Sequence, residues 1–275
     1  MSACRVSVSE ITILLLYLLA AAAFVASRLP RYEARAGNVS AAAYVLLAAG
    51  MAMHVYTLCI AIVTPAGFNL SVGNAASLIG FELALVAAIS APNQNLRGLT
   101  AGLLLLGAIA AIAGSLGNST DAIITAGWQV RAHVLISLIS YGLLSVGAIV
   151  ALLALMQERR LRAGQLSGIS RLFAPLETTE SLLFGVAAAG FAGLAIAILS
   201  GLTFVENLFA QHLVHKTALS LLALVVFGAL LAGRYFAGWR GARAVKLYIW
   251  GFMLLGFAYF GSRIVLEQLL QRSWG

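Results

Sequence analysis

Long, nearly uninterrupted apolar runs dominate this sequence of 275 residues. A helix that crosses the hydrocarbon layer of a bilayer needs about 20 mostly apolar residues. A lipid-exposed backbone has to satisfy its hydrogen bonds internally, and barrel strands of about 10 residues are too short to explain such runs. The pattern therefore predicts an all-α integral membrane protein, a bundle of about eight transmembrane helices. The runs fall near residues 11–27, 41–63, 71–90, 98–114, 131–156, 181–204, 216–233 and 245–269.

Composition supports a chain that lies mostly in lipid. Hydrophobic residues make up 62% of the sequence and charged residues 9%, whereas a soluble domain carries about 25% charged residues. No soluble segment or convincing repeat interrupts the runs, so we expect a single polytopic membrane domain over residues 1–275. The net charge of +8 is concentrated in the connections between the runs, where it indicates topology rather than nucleic-acid binding.

The basic residues are distributed unequally between the two sides when alternate connections are compared. Twelve of the seventeen Lys and Arg residues fall on one side, which the positive-inside rule assigns to the cytoplasm. An even number of spans then leaves both termini outside. The first run has one preceding Arg and three following ones, the reverse of a signal peptide, so we expect it to remain as a span. The twelve are Arg28, Arg31, Arg35, Arg97, Arg159, Arg160, Arg162, Arg171, Arg234, Arg240, Arg243 and Lys246; the other five are Arg5, Arg131, Lys216, Arg263 and Arg272.

Two ionisable residues lie deep within neighbouring runs. His54 and Glu82 are about nine and eleven residues from the outer ends of their runs, roughly 14 and 16 Å deep at 1.5 Å per residue. Buried ionisable groups in membranes often mark functional sites. Their similar depth allows a contact, in which the carboxylate would fix the imidazole tautomer and strengthen it as a metal ligand. The alternative is an ordinary interhelical hydrogen bond for each residue.

The other three histidines lie at the predicted outer face. His133 begins the fifth run and follows Trp128 and Arg131, and a polar stripe descends from it at helical spacing. We expect this stripe to face other helices rather than lipid. Its members are Ser137, Ser140, Tyr141 and Ser145.

His212 and His215 lie in the connection that ends at Lys216, and they share one face if that stretch is helical. Imidazoles commonly hold haem iron, and Arg131 and Lys216 are suited to bind haem propionates through charge-assisted hydrogen bonds. The alternative for each loop histidine is an ordinary solvated side chain.

Several motifs are missing from the sequence. It has no GxxxxGK[ST] phosphate loop, HExxH zinc site or GxSxG nucleophile elbow, which argues against ATP hydrolysis, proteolysis and ester hydrolysis. It also has no CxxC pair and therefore no CxxCH site for covalent haem attachment. We expect no classical hydrolase or kinase activity.

A set of sequence segments resembles the cytochrome c assembly membrane proteins of the CcsA, ResC and CcmC type, and particularly their short YpjD-like inner-membrane branch. The likeness is strongest over residues 40–270, in the order and spacing of the segments. These are WQVRAH (128–133), MQERRLR (156–162), LETTESLLF (176–184), SGLTFVENLFAQHLVHKTALS (200–220), GWRGARA (238–244) and FAYFGSRIVLE (257–267), with weaker likeness in AMHVYTL (52–58) and FNLSVGNAASLIGFELA (68–84).

The resemblance implies haem as a cofactor, held in the family by outer histidines beside a tryptophan-rich loop and, deeper, by buried histidines. His133 matches the first outer histidine, and His54 is similar in position to a transmembrane one. Where the family has its WxWDxKE stretch this chain has LFAQHLVHK, in which Lys216 is retained, and FGSRIVLEQLL contains no second outer histidine. In this interpretation, His212 or His215 replaces the missing ligand.

Three functional hypotheses follow. The first is a haem-binding or haem-handling protein of the bacterial inner membrane, a chaperone- or lyase-type component that uses His133 with His212 or His215 and a deeper site at His54 supported by Glu82. Its partners would be other cytochrome-biogenesis membrane proteins. The second is a non-haem scaffold that has lost haem presentation. The third is a proton-coupled transporter with a relay through Glu82 and His54.

Overall fold

The structure, a computed structural model, describes residues 7–65, 67–69, 71–113, 123–124, 127–164, 175–204 and 214–258. Eight α-helices account for most of this part of the chain, which confirms the predicted all-α class. They are α1 (Val8–Ala26), α2 (Ala36–Ile62), α3 (Val72–Ser90), α4 (Arg97–Ile112), α5 (Trp128–Arg162), α6 (Leu176–Phe204), α7 (Val214–Ala237) and α8 (Ala242–Gly256). Two 3-10 helices, Pro30–Arg35 and Gln94–Leu96, precede α2 and α4.

Seven stretches of the described residues are helical, long and apolar enough to cross a membrane, and they correspond to α1 to α7. The protein is therefore an all-α, multi-pass membrane protein embedded in lipid. Helix α8 has 15 residues, and the part of the predicted eighth run after residue 258 lies outside the described residues. The count of eight spans and the orientation of the termini stay predictions.

Local sequence explains where several helices begin and end. Ser7 and Glu10 form a reciprocal capping box at the start of α1. Pro175 immediately precedes α6, where its missing amide proton costs no helical hydrogen bond. Helix α5 has 35 residues and is longer than its apolar run, because Gln157–Arg162 continue the helix with mostly polar side chains. At about 1.5 Å per residue it exceeds the roughly 30 Å of bilayer hydrocarbon.

The chain divides into two compact units, Met1–Gly127 with Arg160–Thr179, and Trp128–Arg159 with Glu180–Gly275. In the first unit, α1 packs against α2 and α4, while α3 packs against α4 and α2. Glycines bring α3 and α4 together: a Cβ added at Gly107 would lie 2.9 Å from the carbonyl oxygen of Gly80. The expectation of a single membrane domain stays a prediction.

A buried arginine connects two helices of the first unit. The Arg97 guanidinium, at the start of α4, donates a 2.9 Å hydrogen bond to Ser27 Oγ at the end of α1. Helix α1 has no basic residue in its own last turn. Because the carbonyl end of a helix favours a positive charge, Arg97 stabilises α1 from a neighbouring helix.

A small antiparallel sheet adds to the predicted helices. Strands β1 (Val63–Thr64), β2 (Gly67–Asn69) and β3 (Ile123–Ile124) pair in the order β1-β2-β3. The first two form a hairpin between α2 and α3, and β3 lies between α4 and α5 in sequence. Strands of two or three residues are too short to show alternation, so the sequence did not predict them.

In the second unit, helices approach one another where glycines meet large side chains. A Cβ added at Gly190 would lie 2.7 Å from the Leu144 side chain, and one at Gly251 would lie 3.1 Å from Phe227. Gly193 faces Ser140 in the same way. Not every small residue of α6 makes such a contact, since a Cβ at Gly185 would meet nothing within 4 Å and Ala189 is exposed.

Candidate functional site

His133 lies near the start of α5 and faces α6. Its Nδ1 is 2.9 Å from Ser200 Oγ, while the Ser200 hydroxyl donates its proton to the Ala197 carbonyl at 2.9 Å. A hydroxyl has one proton to donate, so Ser200 accepts from His133 Nδ1–H. A neutral ring protonated at Nδ1 has its lone pair at Nε2. Among the described residues, Nε2 has no hydrogen-bond partner, so it is available as a metal ligand.

The residue after Ser200 makes room for this ring. A Cβ added at Gly201 would lie 3.1 Å from His133 Cε1 and 3.8 Å from Nε2. Glycine therefore lets the half-buried imidazole lie against α6 at its present distance. Side chains that hold the second nitrogen of a ligating histidine orient the ring and fix its tautomer, which is the role the geometry gives Ser200.

The structure brings Lys216 of α7 within electrostatic range of His133. Tyr141 Oη lies 3.4 Å from Ser220 Oγ, which connects α5 with α7 one turn below Lys216. Trp128, by contrast, is 71% exposed. Arg131 precedes His133 by two residues and so points about 200° away around the helix.

The polar stripe below His133 faces neighbouring helices, as predicted, at Ser140 and Tyr141. Ser140 is buried against Gly193 of α6. The hydroxyls of Ser137, Ser140 and Ser145 each donate to the carbonyl four residues earlier, at 2.7–2.8 Å. Hydroxyls that bond back to their own helix are satisfied locally, so these serines pack the helix without forming a chain of side-chain hydrogen bonds.

The two candidate partner ligands cannot be placed in the same way. His212 lies outside the described residues, and His215 is the second residue of α7 with its side chain outside them. Within the described part of the chain, no group of three His, Cys, Asp or Glu residues is arranged to hold a metal ion.

His54 is fully buried in the first unit and has both ring nitrogens occupied. Nδ1 is 3.1 Å from Tyr17 Oη, and Nε2 is 3.0 Å from Ser77 Oγ. Phe81 adds an edge contact at 5.8 Å between ring centroids. Gly50, one turn before His54, lets Tyr17 approach, since a Cβ there would lie 2.8 Å from the tyrosine ring. With neither nitrogen free, this arrangement does not fit iron ligation by His54.

The contact between His54 and Glu82 that their similar depth allows is not formed in the described chain. Ser77 occupies the ring nitrogen instead, and neither carboxylate oxygen of Glu82 has a hydrogen-bond partner among the described residues. Glu82 follows Ser77 by five residues, which turns it about 140° away from the face of α3 that meets His54. Similar depth was therefore insufficient to predict a contact between the two side chains, because depth does not determine which face of the helix carries each side chain.

Residues that sequence reasoning missed are those that orient the imidazoles and join the helices. Ser200, Ser77 and Tyr17 are hydroxyl-bearing residues within apolar runs, and nothing in their spacing distinguishes them from ordinary packing residues. Glu180 also accepts a 2.8 Å hydrogen bond from the Gly241 amide. That bond joins two of the resembling segments, LETTESLLF and GWRGARA.

Comparison with known proteins gives a consistent set of relatives. The chain is 32% identical to the inner membrane protein YpjD of Escherichia coli K12 over 211 residues, which cover 74% of this chain and 77% of YpjD. An uncharacterized 28.8 kDa protein of Azospirillum brasilense is 31% identical over half of this chain and 52% of its own length. The cytochrome c biogenesis protein CcsA of Chlamydomonas reinhardtii is 26% identical, over half of this chain and 38% of CcsA.

No solved structure matches this chain. The sequence model of the cytochrome C assembly protein family, however, matches residues 8–270, which include every described helix. The predicted resemblance is confirmed: this chain belongs to the cytochrome c assembly protein family.

Proposed function

We propose that this protein binds haem through Nε2 of His133 and handles it for cytochrome c biogenesis in the bacterial inner membrane. The observation that carries the proposal is the contact of His133 Nδ1 with Ser200 Oγ, together with the absence of a hydrogen-bond partner for Nε2 among the described residues. Ser200 holds the ring as the Nδ1–H tautomer, so the lone pair lies on a nitrogen with no hydrogen-bond partner in the described chain. Family membership and the name of the CcsA relative make haem the group to test there.

The remaining residues of the proposed site have separate roles. His212 or His215 would supply a second ligand to the iron. Lys216, within electrostatic range of His133, would bind a propionate. Tyr141, which contacts Ser220 of α7, supports the site, whereas Trp128 and Arg131 lie away from the face of α5 that carries His133. When bound, haem supplies an iron centre whose ligation the histidines control.

We further propose that His133 opens to the outer side of the membrane and that both termini lie on that side. The support is the twelve-to-five distribution of basic residues in the sequence. Partner proteins of cytochrome biogenesis would meet the site there. His54 holds no iron in this proposal, because Tyr17 and Ser77 occupy both of its nitrogens.

An absorption spectrum tests the proposal directly. Purified wild-type protein should show a Soret band, as isolated or after haem addition, and a positive pyridine haemochrome assay. His133→Ala should lose most of the band, whereas His54→Ala, if it folds, should keep it. Ser137→Ala is a matched control, because that hydroxyl bonds only to its own helix.

Wild-type protein that shows no Soret band after haem addition would refute haem binding. A band that survives His133→Ala unchanged would refute the assignment of the ligand. In the first case the non-haem scaffold becomes the better hypothesis, and it predicts that partner copurification is insensitive to His133→Ala.

A further inference from the structure

Glu82 of α3 is the one acidic side chain among the described residues whose carboxylate atoms are buried without a hydrogen bond. The residue is 3% exposed, and neither Oε1 nor Oε2 has a partner in the described chain. The proposed haem site does not use this residue. A buried polar group normally has at least one partner, so the state of this carboxyl group needs an explanation.

No positive charge faces Glu82 from the helices packed against α3. Helix α4 contributes one titratable residue, Arg97, whose guanidinium bonds to Ser27 at the end of α1. The Ser90 hydroxyl contacts that of Thr100 near the start of α4, where Arg97 also lies. Glu82 is eight residues before Ser90 on α3, about 12 Å away along the helix axis.

Helix α2 is the other helix packed against α3. Its titratable groups are His54, held by Tyr17 and Ser77, and Tyr44, Tyr56 and Cys59. Tyr44 packs against Phe24, and Tyr56 and Cys59 are exposed. None of these groups provides a cation for Glu82.

These contacts decide between the two forms of the carboxyl group. An ionised carboxylate that is buried without a cation or a hydrogen-bond donor has a desolvation penalty of several kcal/mol. In such a site the group takes up a proton and becomes neutral. The neutral acid has no charge to desolvate, so it is the form that an apolar helix interior tolerates.

We propose that Glu82 is a proton-binding site within the membrane, held as a neutral carboxylic acid, and is a modification site for lipid-soluble carbodiimides. In that reaction the acid proton moves to a carbodiimide nitrogen, and a carboxyl oxygen adds to the central carbon. The O-acylisourea then rearranges to a stable N-acylurea. Every atom of both reactants is retained, and no oxidant or reductant is needed. The reaction requires the protonated form, which makes it a probe of the proposed state.

Infrared spectroscopy of the full chain tests the proton. The difference spectrum between wild type and Glu82→Gln should contain the carbonyl stretch of a protonated carboxylic acid, shifted to lower frequency in D2O. Gln is uncharged and close in shape to the neutral acid, so the unfolding midpoint of Glu82→Gln should match that of wild type. Carboxylate bands in place of the acid carbonyl band would overturn the proposal.

Labelling with dicyclohexylcarbodiimide, followed by peptide mass spectrometry, tests the modification site. The adduct should appear on the peptide containing Glu82, diminish as the pH is raised, and disappear in Glu82→Gln. Glu180 is the matched control, since it is also buried but accepts the Gly241 amide proton as a carboxylate does. Equal labelling of Glu82 and Glu180 would overturn the modification site, and so would an acid carbonyl band without any adduct.

Discussion

At the scale of single residues, one hydroxyl determines which nitrogen of His133 is free. Ser200→Ala removes the acceptor for Nδ1–H, so the ring can rotate or change tautomer and place its lone pair on the wrong nitrogen. Loss of such an orienting group typically weakens metal binding by about 10–100-fold. We therefore expect haem affinity, measured by Soret titration, to fall by that factor in Ser200→Ala.

Ser137→Ala provides the comparison for this variant. The Ser137 hydroxyl donates to the His133 carbonyl on the same helix and does not touch the ring. Its removal should leave haem affinity within about twofold of wild type, since a local bond of this kind contributes little. Equal losses in the two variants would mean that Ser200 does not orient the ring.

Two glycines on α6 should respond in opposite directions to the same substitution. A methyl group at Gly193 would collide with the Ser140 side chain, and overpacking of this kind costs about 1–3 kcal/mol. A methyl group at Gly185 meets nothing within 4 Å. Gly185→Ala should therefore be neutral or stabilise the helix by up to about 1 kcal/mol.

Thermal unfolding in detergent measures this difference. We expect the unfolding midpoint to fall for Gly193→Ala and to stay constant or rise for Gly185→Ala. A similar decrease for both variants would indicate that helix α6 does not pack through Gly193 as the structure shows.

Residue types and depths were predictable from the sequence, but the direction of each side chain was not. Placing His54 and Glu82 at one depth was reasonable, yet Ser77 bonds to the imidazole because it lies on the face of α3 that meets α2. Apolar residues of α3 occur on every face of the helix, so the periodicity of its sequence does not distinguish one face from another. The orienting role of Ser200 was hidden for the same reason.

At the scale of helices, Glu180 connects α6 to the start of α8. Its carboxylate accepts from the Gly241 amide, and Gly241 has a positive φ of 62° that favours glycine. Negative charge is favourable at a helix N-terminus by about 0.3–2 kcal/mol. Glu180→Gln keeps an acceptor and should lose about that amount, while Glu180→Ala, which leaves the partly buried amide without this partner, should lose about 1–3 kcal/mol.

The order of the three proteins tests this interpretation. Chemical unfolding should rank wild type above Glu180→Gln and Glu180→Ala lowest. Glu33→Gln, at an exposed position in the Pro30–Arg35 helix, should change stability by no more than about 0.5 kcal/mol. If Glu180→Gln and Glu33→Gln behave alike, the charge on Glu180 does not stabilise α8.

The helices were predictable because a backbone segment in lipid has to satisfy its hydrogen bonds internally, as a helix does. The ends of the helices depend instead on local polar residues. Each described helix coincides with one apolar run, but α5 continues through Gln157–Arg162, where charged side chains with good helix propensity replace apolar ones. The β1-β2-β3 sheet left no recognisable pattern, because it is held by long-range pairing between Phe68 and Ile124 rather than by alternation within a strand.

At the scale of the whole molecule, the number of spans determines whether the two termini lie on the same side of the membrane. Seven described helices are long enough to cross, and α8 has 15 described residues. If the eighth run also crosses, the two termini share a side. If it does not, they lie on opposite sides. The position of the C-terminus relative to the N-terminus therefore distinguishes eight spans from seven.

Reporter fusions measure those positions in cells. Alkaline phosphatase becomes active only outside the cytoplasm, and green fluorescent protein fluoresces when it folds inside. We expect phosphatase activity for fusions at the C-terminus and within the 65–71 connection, and fluorescence for a fusion after Gly164. The basic residues Arg159, Arg160 and Arg162 at the end of α5 should hold that connection in the cytoplasm.

Charge substitution shows whether these arginines cause the orientation. Replacing all three by Gln removes a quarter of the twelve basic residues that favour the cytoplasmic side. Each further neutralisation among Arg28, Arg31 and Arg35 should increase the fraction of chains with inverted reporters, because the difference between the sides narrows. If reporter activity at each position stays the same after these substitutions, the charge of the connections does not determine the topology. Fluorescence at the C-terminus, together with phosphatase activity in the 65–71 connection, would instead establish that the eighth run does not cross.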